Sequence, residues 1–340
     1  MKNRIMLVAL FLNILTLYSQ PKAIDCDNSI VFKATVNYWF SAWDLIYRDV
    51  YKLNKIKAVE FVFFDNEYVY STSNVTINDG TAVEGPSLLN LNLNWRKDVH
   101  DGYILLPDKT KMPIGIMAFA SLLPNENDRS FIVMPLPSFW KGSDVNSNTL
   151  GLSNLLTGIF IHEFSHTQLM QSFGEQLSLL EKSMNVNMPF DDNLIQHIFQ
   201  KDSDYVKVYN QEVDILFYII KQEVFNKELF NRSRVLMNQR HKTYFKAHYR
   251  ELQKVEDFFI TMEGFGQYSM YLWLIHPKGG NYNRQVAIEG VIKNKKWWSQ
   301  EEGFAMFLVM DKVSKSKKWT KKMFSQKSAT ITSILERRIS

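Results

Sequence analysis

His162, Glu163 and His166 are the residues of this chain best placed by type and spacing to do chemistry. They stand in the run His162-Glu163-Phe164-Ser165-His166. A helix turns about 100° per residue, so side chains at i and i+4 lie roughly 40° apart on one face. On a helix, both imidazoles can therefore reach a single metal ion. Glu163, one step round from His162, can then take a proton from a water that the metal activates. The flanking sequence supports a helix. Leu155, Ile159, His162, His166 and Leu169 follow at steps of four, three, four and three, so the histidines continue an apolar stripe. A buried imidazole needs a partner, and a buried carboxylate is costly unless paired or protonated. Metal ligation would satisfy the histidines and account for an acid beside the apolar run 158–161. The plainer alternative is a core helix whose polar groups bond to backbone and solvent.

The H-E-x-x-H run resembles the active helix of the zincin-type zinc metallopeptidases. That resemblance implies one zinc ion held by His162 and His166, with Glu163 as general base and water in an open position. It also implies a zincin-like α+β fold and a peptide or protein substrate. The metzincin extension H-E-x-x-H-x-x-G-x-x-H is absent, because Leu169 and Ser172 stand at the Gly and third His positions. In gluzincins the third ligand is a Glu on a later helix. The window about twenty residues on, 185–187, contains no acid, so a longer connection is required.

Three later acids bear on the third ligand. Glu181 falls near the end of an expected helix over 176–184, where solvation explains it. Glu212 opens an apolar helix over 213–220, where the helix dipole favours an acid without any metal. Glu263 is the only charge after Asp257 in the apolar stretch 257–274. Gly264 and Gly266 cost that helix about 1 kcal/mol each and suit a place where another backbone comes close. The run Glu263-Gly264-Phe265-Gly266-Gln267-Tyr268 also resembles the Glu-Gly-x-Ala-x-Tyr pattern that carries the third ligand in several gluzincin-like families. Glu263 is therefore the expected ligand and Glu212 the runner-up. A buried Glu263 paired with Lys or Arg is the reading without a metal. Tyr268, Tyr271 and His276 are candidates for stabilising an oxyanion or supplying a proton.

Composition fits a single exported enzyme. Lys2 and Arg4 precede a broken apolar run over 5–18 and then Ser19-Gln20-Pro21-Lys22-Ala23, the layout of a signal peptide over 1–23. That run is too short for a membrane span, which needs about 20 apolar residues. No transmembrane segment is expected after cleavage, and the protein is expected in the periplasm or outside the cell. Cys26 is the only cysteine, so neither an internal disulfide nor a thiolate metal cluster is available. Stability must come from the core, and the chain is 46% hydrophobic and 14% aromatic.

Organisation reads as a mainly β segment over 24–148, a helical segment over 149–280 and a basic helical C-terminal region over 281–340. Residues 58–64 and 67–71 suggest a hairpin turning at Asp65-Asn66. Phe131, Ile132, Val133 and Met134 form a strand followed by Pro135 and Pro137, which suggests a sheet edge. By the zincin resemblance, such an edge would bind substrate backbone. Helix is expected from about 149 to 276, opening near Ser147 or Asn148, with His276-Pro277-Lys278-Gly279-Gly280 as a stop. The basic face over 227–254 and the Trp-containing basic tail read as solvated and packing surfaces. A formal net charge of only +5 and the absence of a recognisable module argue against a nucleic-acid partner. A catalytically silent zincin-fold protein that binds the cell envelope is the competing functional reading.

Overall fold

The computed structural model describes residues 7–9, 28–123, 129–184, 188–325 and 329–339; the rest of the expected signal segment and Cys26 lie outside them. A short strand β1 (Leu7–Ala9) precedes helix α1 (Asn28–Leu45), which runs into a π-turn over Ile46–Val50. The segment 24–148 is thus not strand from its start. Phe32, Val36, Trp39, Phe40 and Trp43 are all buried, and their steps of four, three, one and three are helical rather than alternating.

Strands β2 (Ala58–Phe64), β3 (Tyr68–Ser71), β4 (Thr81–Val83) and β5 (Trp95–Val99) follow. Next come β6 (Tyr103–Leu105), β7 (Lys111–Pro113), β8 (Ala118–Leu122) and β9 (Arg129–Pro135). Seven of them form one sheet in the order β1-β8-β9-β2-β3-β5-β4, while β6 and β7 pair separately. The expected hairpin is present, with Phe64 opposite Val69. Its turn residues are Asn66-Glu67, one position later than expected, because Asp65 N donates to Tyr68 O. The Asp65 carboxylate accepts from the Glu67 and Tyr68 amides and fixes the turn.

The edge placement of Phe131, Ile132, Val133 and Met134 is corrected. Strand β9 is interior, parallel to β2 on one side and antiparallel to β8 on the other. The physical reason is legible in its unbroken apolar run. Ile132 and Met134 enter the main core on one face, and Phe131 and Val133 enter a second cluster on the other. A strand buried on both faces needs continuous apolar residues, not alternation. Pro135 is tolerated because it is the last residue of the strand, where its missing N–H costs one terminal rung.

The helical half contains α2 (Pro137–Gly142), α3 (Gly151–Leu169), a π-turn at Met170–Gly174, α4 (Glu175–Ser183), α5 (Leu194–Phe199) and α6 (Ser203–Lys221). It continues with α7 (Lys227–Tyr244), α8 (Leu252–Ile275), α9 (Arg284–Val291), α10 (Trp298–Val313), α11 (Thr320–Met323) and α12 (Ile331–Ile339). Asp202, Asn226 and Asn283 cap α6, α7 and α9 by accepting from first-turn amides. Helix α8 lies between α3 and α10 and ends in the expected stop. Its glycines allow this. A β-carbon on Gly264 would stand 2.3 Å from the Gly303 backbone of α10, and one on Gly266 would stand 2.5 Å from the His162 ring of α3. One buried cluster runs from Phe32 to Ile339, so sheet and helices share a core. Among the described residues, no helix is long and apolar enough to cross a membrane.

Candidate metal centre

Helices α3 and α8 meet antiparallel, and their contacts place the site. Gly158 faces the Met270 side chain, and Gly266 faces the His162 ring. One turn further along α3, His166 meets Glu263, with His166 Nε2 3.2 Å from Glu263 Oε1. The other carboxylate oxygen, Oε2, stands 3.2 Å from His162 Nε2. The two imidazole Nε2 atoms are 2.9 Å apart. All three side chains are buried, and among the described residues they form the single group of this kind able to hold a metal ion.

The donor set and spacing fit such an ion. Two imidazole nitrogens and one carboxylate oxygen are a ligand set of catalytic zinc. Bonds of about 2.0–2.1 Å at tetrahedral angles put ligand atoms roughly 3.3 Å apart; here the two Nε2 atoms are 2.9 Å apart, each lies 3.2 Å from a different Glu263 oxygen, and one ligand atom from each residue can be chosen with all three within 4.8 Å of one another. Burial, then the neighbouring His166, lowers the proton affinity of His162 despite the opposing pull of Glu263. A neutral imidazole is the form that ligates. Burial raises the Glu263 carboxyl, but the two histidines outweigh it and hold the group below the usual carboxylate range. The chain thus brings together His162, His166 and Glu263, as its sequence led us to expect. The metal-free alternative for Glu263, pairing with Lys or Arg, does not hold.

Glu163 is fully buried, and neither of its carboxylate oxygens has a hydrogen-bond partner among the described residues. Burial, and then the charges of Glu263 and Asp192, raise its proton affinity well above that of an ordinary carboxyl. A cleft beside it is lined by Leu155, Ile159, His162, Gln267, Met270, Lys293 and Gln300.

The other residues singled out in the sequence lie elsewhere. Glu212 is buried in a separate charge cluster, where Arg240 Nε donates to its Oε2 at 3.1 Å. Glu181 lies on α4, partly exposed. The Tyr268 hydroxyl donates to Asp311 at 3.1 Å, and its ring packs on Phe307 and Trp319. Tyr271 packs on Phe304 with the Arg284 guanidinium over its ring. Both tyrosines thus face α10 and its neighbours, not the triad. His276 follows the end of α8, about 20 Å along the helix axis from Glu263, and its Nδ1 accepts from the Lys278 amide.

Four neighbours of the site escaped sequence reading. Gln267 sits one turn after Glu263, so helical spacing could have found it. Asp192, Lys293 and Gln300 arrive from a loop, another loop and α10, and nothing local marks them. Comparison with protein-family models, curated proteins and solved structures finds no match to this chain.

Proposed function

We propose that the chain is an exported zincin-type hydrolase that cleaves peptide bonds, using one zinc ion held by His162, His166 and Glu263 and Glu163 as general base. The observation that carries this reading is Glu163. A fully buried carboxylate with no partner on either oxygen is costly, and a site that only stabilised the fold would not need it beside a ligand. Bound zinc supplies Lewis acidity, polarising the scissile carbonyl and acidifying water. The raised proton affinity of Glu163 suits it to accept the proton at its carboxylate and to hand it to the leaving amine. The apolar surround excludes bulk water from that exchange. Residues 1–23 carry the export expectation, so the exported chain should begin between Tyr18 and Cys26 by intact mass. Cleavage there would also release β1 from the edge of β8.

The test compares zinc content and hydrolysis of a peptide library by wild type and Glu163→Gln. The variant should keep zinc and lose about 100-fold or more in rate, the scale of a general base. Equal rates would remove Glu163 from the chemistry. Full zinc occupancy with no hydrolysis by either form would favour the silent binding protein.

A further inference from the structure

One stretch of this chain carries a single charge sign, although the signs nearly balance over the whole. The protein has 40 Lys and Arg against 35 Asp and Glu, yet between Asp311 and Glu336 stand seven lysines and no acid. The fold turns the first part of this stretch into a face. In the short 3-10 turn over Ser316–Lys318 and in α11, Trp319, Thr320 and Met323 are buried, while Lys318, Lys321 and Lys322 are exposed, as is Lys315 just before them. A second basic segment is fastened beside it. The Phe324 ring packs on Tyr47 and Tyr51, and the Thr320 hydroxyl donates to Tyr51 O at 3.5 Å across a sequence separation of 269. Exposed Lys52 follows Tyr51, and the Tyr47 hydroxyl donates to the backbone carbonyl of exposed Lys55 at 2.6 Å. Among the described residues, none of these six lysines is in an ion pair. On the adjoining turn Asp44 is spent on Arg48 at 2.6 Å, which leaves Asp49 as the acid facing them from that segment. A merely solvated surface interleaves both signs; a block of like charges repels itself and is relieved when an anionic partner covers it. The make-up of the face points to a lipid surface. Lysine is a compact point charge suited to a diffuse field, whereas the arginine fork suits individual fixed phosphates. Trp319 is fully buried and Phe324 is engaged with Tyr47 and Tyr51, so the face offers no aromatic platform on which bases would stack.

We propose that Lys52, Lys55, Lys315, Lys318, Lys321 and Lys322 form one surface that docks the protein on the anionic headgroups of a lipid bilayer. Docking of this kind is independent of the metal site and of any hydrolysis. Each lysine near such a surface contributes about fivefold to partitioning. The full chain is mixed with phosphatidylcholine vesicles with or without phosphatidylglycerol, and bound protein is measured by sedimentation. The readout is the ratio of the two partition coefficients, from which the contribution of the apolar run 5–18 drops out. Wild type should favour the anionic vesicles on the order of 1000-fold, and added salt should erase that preference. Lys318→Gln/Lys321→Gln/Lys322→Gln should lower the ratio about 100-fold, and Lys52→Gln/Lys55→Gln about 20-fold. All five side chains are exposed, so circular dichroism should show both variants folded. Lys201→Gln/Lys207→Gln/Lys242→Gln removes the same charge at the other end of α10, where Tyr205 stacks on Trp298 and meets Tyr244, and should move the ratio by less than about threefold. Equal partitioning of wild type into both vesicles overturns the proposal, as does an unchanged ratio in either patch variant. A control that falls as far as the triple patch variant would leave net charge, not this surface, as the cause and overturn it as well. Duplex DNA that strips the protein from the vesicles at equal phosphate concentration would assign the surface to nucleic acid and likewise overturn the lipid reading.

Discussion

Gly266 lies so close to His162 that a β-carbon there would stand 2.5 Å from the imidazole Nδ1. The glycine is thus what lets α8 carry Glu263 up to the histidines of α3. Gly264, two residues earlier, faces the other way, and its absent β-carbon admits the backbone of Gly303.

These two glycines should respond differently to alanine. At Gly266, overpacking of about 1–3 kcal/mol is offset by about 1 kcal/mol of helix propensity, so unfolding should shift little. The displaced imidazole should weaken zinc binding about 10- to 100-fold, the scale of changes to groups that orient a ligand. At Gly264 the obstacle is backbone, which cannot swing aside, so stability should fall clearly. Chelator competition and denaturant unfolding on both variants check this, and unchanged zinc affinity in Gly266→Ala would refute it.

Arg240 should be a large single contributor to the stability of the helical half. Its guanidinium is buried among Glu212, Glu256 and Glu302 and also donates to the Tyr205 hydroxyl at 2.6 Å. Arg240→Met would leave several buried carboxyls uncompensated, at a cost of about 3–5 kcal/mol. Denaturant unfolding measures it. A loss below about 1 kcal/mol, the level of a surface pair, would mean the cluster rearranges freely.

The same cluster gives an acid dependence. Burial pushes the Glu256 carboxyl up, but Arg240 and His241 outweigh this and hold it at about 2, against an ordinary value of 4.5. A depressed carboxyl stabilises the fold above its unfolded pKa, and that contribution is lost as pH falls from 4.5 towards about 2. Wild type should therefore lose on the order of 3 kcal/mol more than Glu256→Gln across that window. Parallel stability curves for the two proteins would contradict the assignment.

Much of the site was legible because its signals are local. The i, i+4 histidines and the lone acid of an apolar glycine-bearing helix state their own improbability, and the structure places them together. The choice between Glu263 and Glu212 was also decidable in principle, since Glu212 lacks the glycines that admit a neighbour. For β9, Pro135 points to an edge, but the apolar run Phe131 to Met134, buried on both faces, marks an interior strand. The helix at Asn28–Leu45 lies in a segment expected to be mainly strand, although Phe32, Val36, Trp39 and Trp43 carry its period. Tyr268 and Tyr271 lie on the same helix as Glu263, yet only the placement of α10 shows which side they face. Lys293 and Asp192 depend on loops brought in from far along the chain, and local sequence carries no trace of that.

A metal ion on His162, His166 and Glu263 is the premise of the proposed chemistry. Anomalous diffraction at the zinc edge from zinc-loaded crystals tests this most directly. We expect one peak within about 2.0–2.2 Å of His162 Nε2, His166 Nε2 and a Glu263 carboxylate oxygen. A zinc-loaded crystal with no peak there, or with its peak on other residues, would contradict the central claim.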